Sequence, residues 1–197
     1  MEPQASCSES VRQRFPQWVI GAHRFRAQET VLLKREGLLE VARFLRDDPA
    51  MRCDFLMDLT CVDYHAFGRS PRSAPTLASP SPLPYYMKPV PSAETWQRGV
   101  PHDEYRFEVV YQFFSSAFHH RLRVKVPLQA EDPVVESLTT LWPGANWFER
   151  EVWDMFGIRF TGHPNLKRIL LYEEFQGHPL RKDYPIRQRQ PLIGPFN

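Results

Sequence analysis

The stretch YRFEVVYQF, Tyr105 to Phe113, alternates with a two-residue rhythm. Tyr105, Phe107, Val109, Tyr111 and Phe113 fall on one side, and Arg106, Glu108, Val110 and Gln112 on the other. Successive side chains of an extended chain point to opposite faces, so the pattern predicts a β-strand with one face in a core. RLRVKV, Arg121 to Val126, repeats the rhythm, with Leu122, Val124 and Val126 opposed to Arg121, Arg123 and Lys125. Ser115-Ser116-Ala117 is a link short enough for an antiparallel hairpin. The aromatic residues fall on the face that forms the core, and no RNP-like basic–aromatic motif accompanies them, so they read as packing rather than as an RNA-stacking sheet. His119 and His120, read as neighbours on a strand, point apart and cannot share a metal.

Working outward, Phe55 to Tyr64 (FLMDLTCVDY) and Thr30 to Lys34 read as further strands, rich in β-formers. Leu38, Val41, Ala42 and Leu45 have helical spacing, with Arg43, Arg46, Asp47 and Asp48 on the other side. Val11 to Trp18 reads as a short first helix broken near Pro16. Downstream, Asp132 as N-cap with Pro133 behind it predicts a helix carrying Val134, Leu138, Leu141 and Trp142, stopped at Pro143-Gly144. Asn146 and Glu149 predict a capping box for the next helix, whose apolar face is Phe148, Val152, Met155 and Phe156 and whose C-terminal cap is Gly157. The organisation expected is a globular unit over 1–157, interrupted by a Pro/Ser-rich loop insertion over about 66–103, then a basic arm over 158–197. In that arm Arg168 to Leu171 is a candidate strand. The rest carries seven Lys/Arg against three Asp/Glu from 159 to 197 and too few apolar residues to order itself. Such an arm lies on its own domain or along a partner.

The chain has 197 residues, enough for one domain with an appendage, a net charge of +2 and 42% hydrophobic residues. The charge is too small to argue for nucleic acid, and no apolar run reaches the eighteen or so residues of a membrane span. The opening MEPQASCSES lacks the basic-then-apolar order of a secretory leader. Cys7, Cys53 and Cys61 form no C-x-x-C pair and read as reduced thiols. No Gly-rich nucleotide loop and no G-x-S-x-G nucleophile motif is present. His163, His178, Asp154 and Asp183 are the candidate metal ligands, but they lack close metal-ligand spacing. The two Gly-His-Pro histidines therefore read as partners of backbone groups at turns. Glu149, Arg150, Glu151 and Asp154 sit on one helix without a separated acid–base pair and read as a solvated or partner-facing surface, with Arg150 and Asp154 spaced to pair.

From Glu149 to Pro185 the sequence EREVWDMFGIRFTGHPNLKRILLYEEFQGHPLRKDYP resembles the signature of the 30 kDa subunit of respiratory complex I, the bacterial NADH:quinone oxidoreductase. The resemblance rests on Glu149, Arg150, Glu151, Asp154, Phe156, Gly157, Gly162, His163, Pro164, Leu166, Arg168, Ile169, Leu170, and the full run Gly177, His178, Pro179, Leu180, Arg181, Lys182, Asp183, Tyr184 and Pro185, and it implies that this signature is the partner interface. DLTCVDY and FEVVYQF look like that family's sheet strands; Lys167 stands where arginine is common, and the Pro/Ser-rich insertion is longer than usual. The resemblance implies an α+β fold, a mixed β-sheet packed on two main helices, followed by an extended C-terminal arm. It implies a non-catalytic subunit of the peripheral arm, in a hetero-oligomer with the 49 kDa-type subunit and its neighbours. No cofactor belongs to the chain itself; FMN and iron–sulfur clusters sit in partner subunits. Membrane association is indirect, on the cytoplasmic side of the bacterial inner membrane. Arg168, Arg181 and Lys182 are expected to meet acidic groups or carbonyls of the partner, with Asp183 orienting one of these bases. Two other expectations are the equivalent small subunit of a membrane-bound hydrogenase or formate hydrogenlyase, and a stand-alone enzyme using His163, His178 and Asp183.

Overall fold

The computed structural model describes residues 6–65, 105–185 and 187–191. The Pro/Ser-rich insertion lies outside them. Two main helices, α2 (Leu38–Asp47) and α3 (Ala145–Phe156), and a short α1 (Cys7–Arg14) pack against a sheet of β1 (Val19–Phe25), β2 (Gln28–Leu33), β3 (Phe55–Asp63), β4 (Phe107–Phe114) and β5 (Arg121–Leu128). The strand order is β1-β2-β5-β4-β3, with β2 parallel to β5 and every other pair antiparallel, so the α+β fold with a mixed sheet is as expected. The alternation along β4 and β5 sets the core: Phe107, Val109, Tyr111 and Phe113 pair across to Leu128, Val126, Val124 and Leu122, all buried. The α2 stripe, Leu38, Val41, Ala42 and Leu45, closes over them.

Several local expectations are overturned. The first helix begins earlier, at Cys7, because the Ser6 hydroxyl accepts the Glu9 N–H as an N-cap. Strand β1 carries no alternation of apolar and polar residue types, and its turn places Arg26 and Ala27 at φ 48° and 63°, a left-handed pair usually written with Asn or Gly. The helix expected from Asp132 does not form. Val134–Glu136 is instead a strand, β6, pairing in parallel with β7 (Arg159–Thr161). Competing partners decide this: Ser137 N–H goes to the Thr161 carbonyl, the Leu138 N–H to Glu149, and Asp132 holds Arg35 at 2.8 Å. Helix α3 starts after Gly144 with no side-chain cap, so the capping box is absent too. His119 and His120 sit in the β4–β5 turn rather than on a strand, with His119 at φ 56°. Residues 168–171 form no strand.

Candidate functional site

Helix α3 is the platform on which the signature assembles. Its inner face buries Val152, Met155 and Phe156, as its spacing predicts, but it also buries two carboxylates. Glu149 and Asp154 are both 0% exposed. The solvated-face reading therefore fails for these two and holds for Glu151, which is exposed. Glu149 Oε2 accepts the Ser137 hydroxyl at 2.6 Å and Oε1 accepts the Leu138 N–H at 2.7 Å, pinning the loop after β6 to the helix. Burial outweighs those two bonds and pushes its pKa up to about 7.

The sign of that shift gives a prediction. A carboxyl whose folded pKa lies above its unfolded value binds more protons in the native state. Stability from Glu149 is thus fully present below pH 4.5 and lost as pH rises to about 7. Across that window the loss is roughly 3 kcal/mol. Glu149→Gln is expected to flatten this segment of a pH series of urea midpoints; an unchanged slope would show that the decline has another source.

Asp154 has the opposite balance. Its Oδ2 accepts three consecutive backbone N–H groups, Ile169 at 3.1 Å and Leu170 and Leu171 at 2.9 Å each, and its Oδ1 accepts Arg168 Nη1 at 2.6 Å. Burial alone would raise its pKa, but the N–H of Leu171, the Arg168 guanidinium and the other two N–H groups hold it below the usual carboxylate range. Arg168 also donates to the carbonyls of Phe175 (2.7 Å) and Gly177 (3.2 Å), and lies over Trp153 and Phe175 at 5.7 Å from each ring. Arg150 does not pair with Asp154; it donates to the carbonyls of Lys167 and Arg168 at 3.1 and 2.8 Å. One helix thus grips residues 167–171 from both flanks.

The second Gly-His-Pro closes the end of the same helix. The last four carbonyls of an α-helix have no intrahelical donor. Here the Trp153 carbonyl accepts Gly157 N–H (2.8 Å), Asp154 accepts His178 Nδ1–H (2.9 Å), Met155 accepts Leu180 N–H (3.1 Å) and Phe156 accepts Arg181 Nε–H (2.5 Å). A guanidinium at this end also faces the negative pole of the helix dipole. Gly157 turns the chain at φ 74°, and the His178 ring lies directly on it. Burial lowers the His178 pKa, in keeping with a neutral ring that donates from Nδ1. The first Gly-His-Pro serves the other end: His163 Nε2 donates to the Asn146 carbonyl at 3.2 Å while its Nδ1 accepts the Asn165 N–H at 3.0 Å. Both histidines bind backbone, as expected from the turns they occupy.

The segment then crosses to the sheet. Asp63, buried at the end of β3, accepts Arg106 (3.1 and 2.9 Å), the His65 N–H (2.8 Å) and the Lys182 N–H (2.8 Å). Burial would raise the Asp63 pKa; Arg106 and the two N–H groups hold it low. Asp183 meets the same Arg106 at 2.6 Å, so it orients a base within its own chain. The Arg181 guanidinium lies 5.2 Å from the Phe107 ring centre. Tyr184 stacks on Phe175 and covers Gly177, which stands at φ 91°. Leu166 packs against the core; Gly162, Pro164, Lys182 and Pro185 are exposed, and Pro179 is half-buried.

The expectation for Arg168, Arg181 and Asp183 is therefore corrected: they are engaged inside the chain. The described part of the arm, 158–185, is a strap on its own domain, with Ile158 and Phe160 in the core. Hydrogen bonds to α3 supply what its poverty in apolar residues withholds. His163 and His178 bind opposite ends of α3, and Asp183 sits on Arg106, so no acid–base set forms from them. Among the described residues no three His, Cys, Asp or Glu side chains gather as metal ligands. Burial raises the thiol pKa of Cys7 to about 11 and of Cys53 to about 12, so neither is a nucleophile at neutral pH. Asp63 and Arg106 are the members that sequence reasoning missed. Asp63 falls two and four residues after Cys61 and Leu59, and that parity places it on the inner face.

The family described as respiratory-chain NADH dehydrogenase, 30 Kd subunit, matches residues 31–190. An NADH-quinone oxidoreductase subunit of Roseiflexus sp. (strain RS-1) is 41% identical over 182 residues, 92% of this chain and 84% of that protein. The subunit of the same name from Citrifermentans bemidjiense is 38% identical over 186 residues, covering 93% and 92%. A solved trypsin-resistant fragment of Nqo5 superposes with a TM-score of 0.52 at 30% identity, over 80% of this chain and 98% of the fragment.

Proposed function

We propose that this chain, which belongs to the family of the 30 kDa subunit of respiratory-chain NADH dehydrogenase, is a structural and assembly subunit of an NADH:quinone oxidoreductase, without a reaction of its own. One observation carries the reading. Five charged side chains of the signature, Glu149, Arg150, Asp154, Arg168 and Arg181, are spent on contacts within the chain that shape the strap, while apolar side chains on or beside it are turned out. Trp147, Leu170 and Leu180 are 67, 61 and 49% exposed. The strap is thus a rigid surface with apolar anchors, the arrangement that dominates protein–protein binding energy. Its partner in this reading is the 49 kDa-type subunit, within the peripheral arm. FMN and the iron–sulfur clusters, and the electron transfer to quinone, belong to other subunits. Among the described residues no helix is long and apolar enough to cross a membrane. The chain is then held at the cytoplasmic side of the bacterial inner membrane through the complex.

The test is Leu170→Asp with Leu180→Asp. Both sites are exposed, so the melting curve is expected to move by no more than about 0.5 kcal/mol. Recovery of the chain with purified quinone-reductase subunits is expected to fall about tenfold or more. A wild-type chain never found with those subunits would sink the reading, and so would undiminished recovery of the double variant.

A further inference from the structure

The strap uses one side of the molecule; one end of the outer sheet face is a second surface. The helices cover the inner face; on the outer face Thr30, Leu32, Glu108 and Val110 are buried as well, and exposed side chains gather towards one end of the strands. Register places Phe25, Gln28, Arg121, Phe114 and Phe55 in one row across the outer face, from β1 to β3, at the end where the β1–β2 and β4–β5 turns lie. Phe25 and Phe55 are 63 and 56% exposed. The next row carries Arg123, whose Nη2 donates to Gln28 at 2.9 Å, and the exposed Asp58. Arg121 lies 5.7 Å from the Phe114 ring centre, and Arg26 lies 5.2 Å from that of Phe25. None of Arg26, Arg121 and Arg123 has an ion pair among the described residues, whereas Arg106 and Arg168 are fully engaged.

We propose that this arginine–phenylalanine row docks an acidic segment of a neighbouring protein subunit. Guanidinium groups stacked on rings are held flat, ready to take a carboxylate with two parallel hydrogen bonds. The flanking phenylalanines supply the apolar contact that excludes water around such pairs. Charge argues against two other occupants. Residues 66–104 of this chain carry four Lys/Arg against three Asp/Glu, so they do not complement a basic face. A second copy would set the same arginines against one another across a two-fold axis. An anionic membrane would more typically meet lysine-rich helices than a row of ring-stacked arginines on a sheet.

The proposal rests on the subunit reading for where the partner is sought. The experiment places a photo-crosslinking benzoyl-phenylalanine at position 25 of the full chain, in cells carrying the complex. Cross-linked peptides are then mapped by mass spectrometry. The expected adduct lies in an Asp/Glu-rich stretch of another subunit, and Arg121→Glu with Arg123→Glu lowers its yield about tenfold or more. A parallel Arg121→Gln, Arg123→Gln variant, checked by thermal melting, is expected to show the same direction of loss. Adducts to phospholipid, to residues 66–104, to a second copy, or to nothing would each overturn the proposal. So would a yield unmoved by both variants. Co-purification of the unmodified chain with quinone-reductase subunits is scored separately, so failure of the subunit reading and failure of this surface give different results.

Discussion

Replacing Asp154 by alanine is expected to destabilise the folded chain by about 3–5 kcal/mol, the range for breaking a buried ion pair from one side. The carboxylate is fully buried and its partner Arg168 is 13% exposed, so solvent does little to soften the loss. Three backbone N–H groups, of Ile169, Leu170 and Leu171, lose their acceptor in the same step. An unsatisfied buried donor costs about 1–3 kcal/mol, and three cannot all find water while the strap stays seated. The expected outcome is therefore local: residues 167–181 leave α3 before the sheet unfolds. Urea unfolding should show the lower midpoint, and trypsin should cut faster at Lys167, Arg168, Arg181 and Lys182. Asp154→Asn, which keeps one acceptor oxygen but no charge, should fall between. The pH dependence follows from the lowered pKa. Stability from Asp154 is fully present above pH 3.8, its unfolded value, and is lost as pH falls through the folded value. Asp63 acts in the same sense. These two slopes oppose that of Glu149, so acid release of the strap should shrink to the share held by Asp63 in Asp154→Ala and persist in full in Glu149→Gln. A midpoint shift under about 1 kcal/mol for Asp154→Ala would mean that the strap is held chiefly by other contacts.

The residues that build the fold and the site differ in how visible they are. Tyr105 to Phe113 could be read directly, because a strand writes its two faces into alternate side chains. Glu149 offered a usable signal too: it shares helical spacing with Val152 and Phe156, and an acid inside an apolar stripe is an acid in a core. Reading it as part of a charge-rich face followed the composition of the helix rather than the angle of each residue. The helix expected over 132–142 failed for a reason outside its own sequence, since its donors are taken by Glu149 and by the Thr161 carbonyl. GHPLRKDYP could be recognised as a signature, yet three of its residues, His178, Leu180 and Arg181, bind carbonyls of α3, and a carbonyl leaves no mark in a sequence. Arg106 is 43 residues from Asp63 and 77 from Asp183, and nothing local links the three. The strap's charge balance suggested a basic arm; its fold turns on hydrogen-bond geometry that charge counting does not measure.

Gly157→Ala is expected to cost about 2–4 kcal/mol, and two other glycines make the cause separable. At Gly157 φ is 74°, and a Cβ would stand 2.6 Å from Cδ2 and Nε2 of His178 and 2.7 Å from Nη2 of Arg181. Neither ring nor guanidinium can retreat freely, because each holds a carbonyl at the end of α3. Moving them uncaps Asp154 and Phe156 together, so a single methyl group acts on the whole closure. Gly162 has a similar φ of 81° with nothing within 4 Å of the added Cβ. Gly162→Ala should therefore show backbone strain alone, about 1–2 kcal/mol. Gly144 has φ −62° and nothing within 4 Å, so Gly144→Ala should be close to neutral. Chemical denaturation of the three variants gives two differences. Gly162 minus Gly144 measures the left-handed conformation, and Gly157 minus Gly162 measures the packing of His178 and Arg181. If the second difference were zero, those side chains would not be seated on Gly157, and the second Gly-His-Pro would not be the cap of this helix. If it is large, the same variant should also lose recovery with the quinone-reductase subunits, because Leu180, one of the exposed anchors, is fixed by the same turn through its N–H to Met155.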